Sequence, residues 1–240
     1  MSNRSQHRKL VLFDMDGTLI NIGYAHREAV QIAVRTVYGV EIEGVLDRQT
    51  HQGNTQVNIM RAIAAMMGLD AKVIEARLAH AMKVQAEATI ALLNDDLRSA
   101  ILPGVVPLLE TLQQAGHALG LVTGTVRPVT SVALGRTGLQ RFFPVCACGD
   151  EGNERVDLLH LATDRAARAY GMELGRNDLV VVGDAVRDIQ AGKALGARVV
   201  AVATGSHPPD VLAQHDPDAV LSDLQDTEAA VDAILGPSEE

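Results

Sequence analysis

Two aspartates, Asp14 and Asp16, end the apolar run in "VLFDMDGTLI" and are followed at once by Gly17 and Thr18. Charges where a buried strand stops are costly unless something uses them. Comparable polar groups follow other apolar runs. "GLVTGT" places Thr123, Gly124 and Thr125 after one, and "VVVGDAVRD" places Asp184 and Asp188 after another. "GDEGNERVD" sets Arg155 at the start of a helical pattern. In a parallel α/β sheet, ligands bind beyond the carboxyl ends of the strands. Several carboxylates gathered on that edge would repel one another, and a bound cation offsets the repulsion. An all-oxygen donor set favours Mg²⁺, which keeps some of its waters and meets substrate phosphate.

The elements that must position these groups are legible as alternating patterns. Residues 9–13, 118–122, 144–148, 178–182 and 198–202 read as strands, nearly all apolar, as strands covered on both faces should be. Helical patterns lie between them, at about 105–115, 126–137, 155–171 and 186–195, and a last one at about 226–235 stops at Gly236-Pro237. The alternation predicts an α/β fold: a Rossmann-like parallel sheet with helices on both faces. Residues 22–97 break it, with helical segments at 25–38, 55–67 and 71–93 and no strand-like run. The expected organisation is therefore an α/β core domain of residues 1–21 and 98–240 carrying an inserted all-helical cap of residues 22–97. Met60 and the Met66-Met67 pair fit an apolar face within that cap.

Composition narrows the function. Hydrophobic residues make up 47% of the 240-residue chain, enough for a core, yet there are only three Tyr, three Phe and no Trp, so the core is aliphatic. A net charge of −9, with no basic block larger than "HRK" and few stacking aromatics, argues against nucleic acid. No window approaches the ~18 apolar residues of a membrane span, and the N-terminal apolar run is shorter than the roughly 7–15 residues of a secretory signal. Cys146 and Cys148 lack the second pair a zinc site needs and read as reduced structural thiols of a cytoplasmic protein. The eight histidines show no ligand spacing and read as surface or core residues, His51 excepted.

"DMDGTL", Thr123 and "GDAVRD", in this order on successive strand ends, resemble the haloacid dehalogenase superfamily of aspartyl-phosphate hydrolases over about residues 9–222. "HQGNTQVNIM", "LPGVVPLLETL", "GLVTGT" and "VAVATG" are similar to its phosphoglycolate phosphatase-like branch, which carries a helical cap at the place of the insertion. The resemblance implies a phosphatase acting on a small phosphorylated metabolite with Mg²⁺. Asp14 would be the nucleophile and Asp16 the acid and then the base. Gly17 would let the backbone fold back. Asp14, the Asp16 carbonyl and Asp184 would hold the metal, with Asp188 in support. Thr123 and the Gly124 amide would bind phosphoryl oxygens. Two positions depart from the family pattern: Arg155 stands near the place of its usual lysine, and Thr125 where Asn is common. The cap loop 51–55 would set specificity, with His51 or Asn54 reaching the substrate's non-phosphate part.

Other readings stay open. Asp14 and Asp16 alone would suit a surface turn, Asp188 an ion pair on its own helix, and Arg155 an exposed pair with Asp157. A dehalogenase needs no acid at Asp16, and a phosphonatase needs a cap lysine, for which only Lys72 and Lys83 are present, on ordinary amphipathic helices. A phosphomutase of the same superfamily and a catalytically silent binding protein on this fold remain the alternatives.

Overall fold

The computed structural model describes residues 8–42, 53–175 and 177–236. The five apolar runs form strands β1 Leu10–Phe13, β2 Ala118–Val122, β3 Val145–Ala147, β4 Leu179–Gly183 and β5 Arg198–Val202, and Ala219–Leu221 adds β6. Among the described residues the α-helices are α1 Gly23–Tyr38, α2 Gln56–Met66, α3 Ala71–Leu92, α4 Val105–Gln114, α5 Arg127–Thr137, α6 Arg155–Tyr170, α7 Val186–Ala194, α8 Pro209–Ala213 and α9 Thr227–Leu235.

All strand pairings are parallel, in the order β3-β2-β1-β4-β5-β6. Leu10 is in register with Ala118 on one side and Leu179 on the other. Side chains alternate across the sheet: Val11 and Phe13 join a core with Leu108, Leu112 and Ile234, whereas Leu10 and Leu12 join one with Leu158 and Ala162. Helices α4 and α9 therefore cover one face, and α6 covers the other. The chain builds outward from β1 to β3, then crosses to β4 on the opposite side. The direction reverses between β1 and β4, and a crevice opens there beyond their carboxyl ends.

Two elements lie beyond the sequence expectation, β6 and α8. Each has five residues or fewer, and every residue of β6 is only partly buried, so neither develops a readable period. Helices α1 to α3 form the expected insertion and pack around their own core of Val34, Val37, Met60, Ile63 and Leu78. Met66, the last residue of α2, departs from its expected apolar face and is 73% exposed. The chain leaves and re-enters the sheet layer side by side. The Asn21 amide donates to the Ala100 carbonyl (2.9 Å) and the Leu102 amide to that of Leu19 (2.9 Å). Among the described residues no helix is long and apolar enough to cross a membrane.

Candidate active site

Strand β1 delivers Asp14 directly to the crevice, where its amide donates to the Val182 carbonyl of β4 (2.9 Å). The chain then turns sharply, with the Gly17 amide donating to the Ile20 carbonyl (2.8 Å). Gly17 has φ +95°, and a Cβ there would lie 2.6 Å from Asp184 Oδ2. Glycine is required on both counts. Thr18 Oγ1 donates to Asp184 Oδ1 (3.1 Å), holding that carboxylate under the turn. Asp188 sits in the first turn of α7 and accepts the Ala185 amide on Oδ2 (3.1 Å), so helix capping orients it.

Asp14, Asp184 and Asp188 offer carboxylate oxygens all within 4.8 Å of one another. Burial raises the pKa of each. Asp184 stands well above the usual carboxylate range, through burial and then repulsion from Asp14 and Asp188. Asp188 is pushed up to about 6 by burial, although Arg155 opposes the shift. Asp14 is raised by burial against the same arginine. Three carboxylates and one guanidinium leave an excess of buried negative charge. That charge and the all-oxygen donor set fit a divalent cation such as Mg²⁺.

Arg155 opens α6 and is buried, only 6% exposed. Its Nη2 donates to Asp14 Oδ1 (2.5 Å) and lies 2.6 Å from Asp188 Oδ1, an ion pair without hydrogen-bond geometry. The alternative pairing with Asp157 is not observed: Asp157 instead accepts the Glu154 amide in a capping box. Arg155 Nε and Nη1 are buried without hydrogen-bond partners, so the fork retains donors for a ligand. Two other cations, Arg127 and Lys193, are paired away from Asp14, with Glu151 and Asp216 respectively.

A cavity of about 250 Å³ lies over this cluster, between the sheet edge and the helical insertion. Asp14, Asp16, Gly17, Thr123, Gly124, Thr125, Asn54 and Arg155 all line it, whereas His51 lies outside the described residues. Asp16 stands apart from the carboxylate triad, and its Oδ1 accepts the Ile22 amide (2.9 Å). Thr123 Oγ1 accepts the Thr125 amide (3.1 Å), which tightens the loop after β2. Gly124 is where the insertion touches that loop. Its carbonyl accepts the Gln56 amide (2.8 Å), and a Cβ would meet the Asn54 carbonyl oxygen at 2.1 Å.

The sequence reading missed His26, Arg27, Gln56 and Gln85, which also line the cavity. His26, expected only as a surface or core histidine, thus lines the cavity. The Val126 amide donates to Gln56 Oε1 (3.2 Å), leaving Gln56 Nε2 to donate to His26 Nδ1 (2.7 Å). The imidazole proton is thereby assigned to Nε2, which lies 3.5 Å from Thr125 Oγ1 and 4.0 Å from Asp16 Oδ2. Burial holds His26 below its ordinary pKa, so it is neutral at pH 7. One signal pointed to it: the first turn of a helix that starts beside a catalytic-type loop faces that loop. Gln56 and Gln85 carried none.

The chain is 28% identical over 224 residues to a phosphoglycolate phosphatase of Pseudomonas savastanoi pv. phaseolicola, covering 90% of this chain and 77% of that one. It is 27% identical over 226 residues to the pyrophosphatase PpaX of Bacillus pumilus, covering 93% and 96%. Among solved structures, a β-phosphoglucomutase from Clostridium difficile shares the fold with a TM-score of 0.78 at 15% identity, over 95% of this chain and 97% of that one. The model of the haloacid dehalogenase-like hydrolases matches residues 8–196, from the strand that delivers Asp14 to the helix that carries Asp188, and the chain belongs to that family.

Proposed function

We propose that the protein is a Mg²⁺-dependent phosphatase that hydrolyses a small phosphorylated metabolite through an aspartyl-phosphate on Asp14. The observation that carries this reading is the ion network under the cavity, where one guanidinium meets Asp14 and Asp188 and keeps two unpartnered N–H groups. Two curated relatives named phosphatase and pyrophosphatase support the same class.

The chemistry follows from the positions. Asp14 attacks phosphorus while the phosphorus–oxygen bond to the leaving group breaks, and Asp16 donates a proton to the departing oxygen. Asp16 then takes a proton from water, whose oxygen attacks the acyl phosphate. Phosphate leaves, and the Asp14 carboxylate is restored. Arg155 holds the carboxylate of Asp14 in place and offers its remaining donors to phosphoryl oxygens. Thr123, Gly124 and Thr125 supply a hydroxyl and amide edge for the same oxygens. Asp14, Asp184, Asp188 and the Asp16 carbonyl would hold Mg²⁺, which when bound supplies charge neutralisation at the phosphoryl group. Residues 22–97 act as a cap on a core of 1–21 and 98–240, excluding water from the cavity. A cytoplasmic location accords with two free thiols.

Release of p-nitrophenol from p-nitrophenyl phosphate tests the reading. Activity is expected with Mg²⁺, little with EDTA, and none in Asp14→Asn despite an unchanged circular-dichroism spectrum. Turnover in that variant equal to wild type would exclude the covalent route. No turnover in the wild type on this or any phosphate ester would favour a silent binding protein.

A further inference from the structure

The cavity presents two arginines, and their situations differ. Arg155 is committed to Asp14 and Asp188 on the floor. Arg27, on the first turns of α1, is half-buried and has no carboxylate partner among the described residues. Its neighbours in the helical insertion are paired: Arg35 with Glu41 (2.6 Å) and Arg61 with Glu75 (2.7 Å). A guanidinium at a cavity wall without a counter-charge gains no ion pair from the chain. A ligand can supply what the chain does not.

Position says which part of the ligand. A Cβ on Gly23 would lie 3.4 Å from Arg27 Nη1, 3.7 Å from Asp16 Oδ2 and 3.8 Å from Asn21 Oδ1. The three groups thus surround the space over one glycine. Asp16 is the group assigned to the leaving oxygen, so Arg27 stands on the leaving-group side of the cavity. Gln85 of α3 also lines the cavity, and its Oε1 is a buried acceptor without a hydrogen-bond partner, which calls for a hydroxyl or N–H donor rather than for the anion itself.

We infer that Arg27 is the specificity-determining cation of the leaving-group subsite, and that the substrate is a small phosphate ester or anhydride whose leaving group carries its own negative charge. This rests on the phosphatase reading and deepens it. Arg27 Nη1 and Asp16 Oδ2 both lie within 4 Å of the position a Cβ on Gly23 would take, which keeps the leaving group small. The charge can be a carboxylate or a second phosphate, since a guanidinium grips either with two parallel hydrogen bonds.

Matched substrates test it. 2-Phosphoglycolate and 2-hydroxyethyl phosphate differ by a carboxylate in place of a neutral alcohol, and inorganic pyrophosphate supplies the phosphate form of the anion. Wild-type kcat/KM should favour 2-phosphoglycolate or pyrophosphate over 2-hydroxyethyl phosphate by at least about tenfold, and the better of the two identifies the anion. In Arg27→Ala this preference should shrink at least tenfold, about 1.4 kcal/mol, through KM more than kcat, and Arg27→Lys should restore part of it. Equal losses on charged and neutral esters would overturn the inference and leave Arg27 a structural residue. So would a wild type with no preference for the charged ester. p-Nitrophenyl phosphate separates the two levels: turnover of it without charge preference refutes Arg27 alone, whereas no turnover of any phosphate refutes the phosphatase reading and the inference with it.

Discussion

Arg155 shows how much one side chain is asked to do. It is buried, it holds one carboxylate from the end of β1 and one from the first turn of α7, and Asp14 lies 141 residues away in sequence. Removing one member of a buried ion pair commonly costs about 3–5 kcal/mol, because the remaining charge is left uncompensated. Here two carboxylates would be left facing each other. Arg155→Ala should therefore lower kcat/KM by at least tenfold, about 1.4 kcal/mol of transition-state stabilisation. It should also lower Tm in EDTA, with Mg²⁺ recovering part of that loss. Arg155→Lys should keep part of the activity, because its charge survives although the planar fork does not. Steady-state kinetics and thermal melts of both variants check this. A kinetically silent alanine variant would remove Arg155 from the phosphate site.

At the scale of elements, the contact that matters is between the loop after β2 and the entry to α2. Asn54 and Thr55 press on Gly124 closely enough to exclude a Cβ. The same entry is secured twice. Gln56 bonds the Gly124 carbonyl through its amide and the Val126 amide through its side chain, and Thr55 caps α2 by accepting the Asn58 amide (3.3 Å). A methyl group at Gly124 must push the cap loop outward, and overpacking of this kind costs about 1–3 kcal/mol. Gly124→Ala should lower Tm and reduce hydrolysis of p-nitrophenyl phosphate at least about tenfold, since the phosphate loop moves with its partner. A variant with wild-type kinetics would mean that the cap loop does not rest on Gly124 during turnover.

The whole molecule carries a net charge of −9 and concentrates three acids in one buried place. This couples stability to pH and to metal. Asp188 has its folded-state pKa raised to about 6 from an ordinary 3.8, so the metal-free folded protein binds this proton more tightly than the unfolded chain. Its contribution to stability is fully present below about 3.8 and is lost as pH rises through 6. Asp14 and Asp184 are shifted in the same direction. Mg²⁺ replaces the missing proton at neutral pH and loses the competition in acid. The rise in Tm on adding Mg²⁺ should therefore be several degrees at pH 7.5 and shrink as pH falls through about 6. Melts across pH 5–8 with Mg²⁺ or EDTA measure it. A Mg²⁺ effect independent of pH would mean that these carboxylates do not hold the ion.

The order of strands and helices and the polar groups at the strand ends were legible in the sequence. Each depends on a short stretch: an apolar run buried on both faces, followed at once by Asp14, Thr123 or Asp184. Such signals are local, and a parallel sheet brings their ends to one edge whatever the details of packing. β6 and α8 escaped because three and five residues are too few to show a period. The tertiary structure alone decided the rest. Whether Arg155 is a surface residue or the partner of Asp14 depends on how α6 docks against β1. That His26, Arg27 and Gln85 reach the same cavity as Asp16 depends on how α1 and α3 fold back over the sheet. These placements join residues far apart in the chain, and their energy is that of burial and pairing after packing, which no local pattern records.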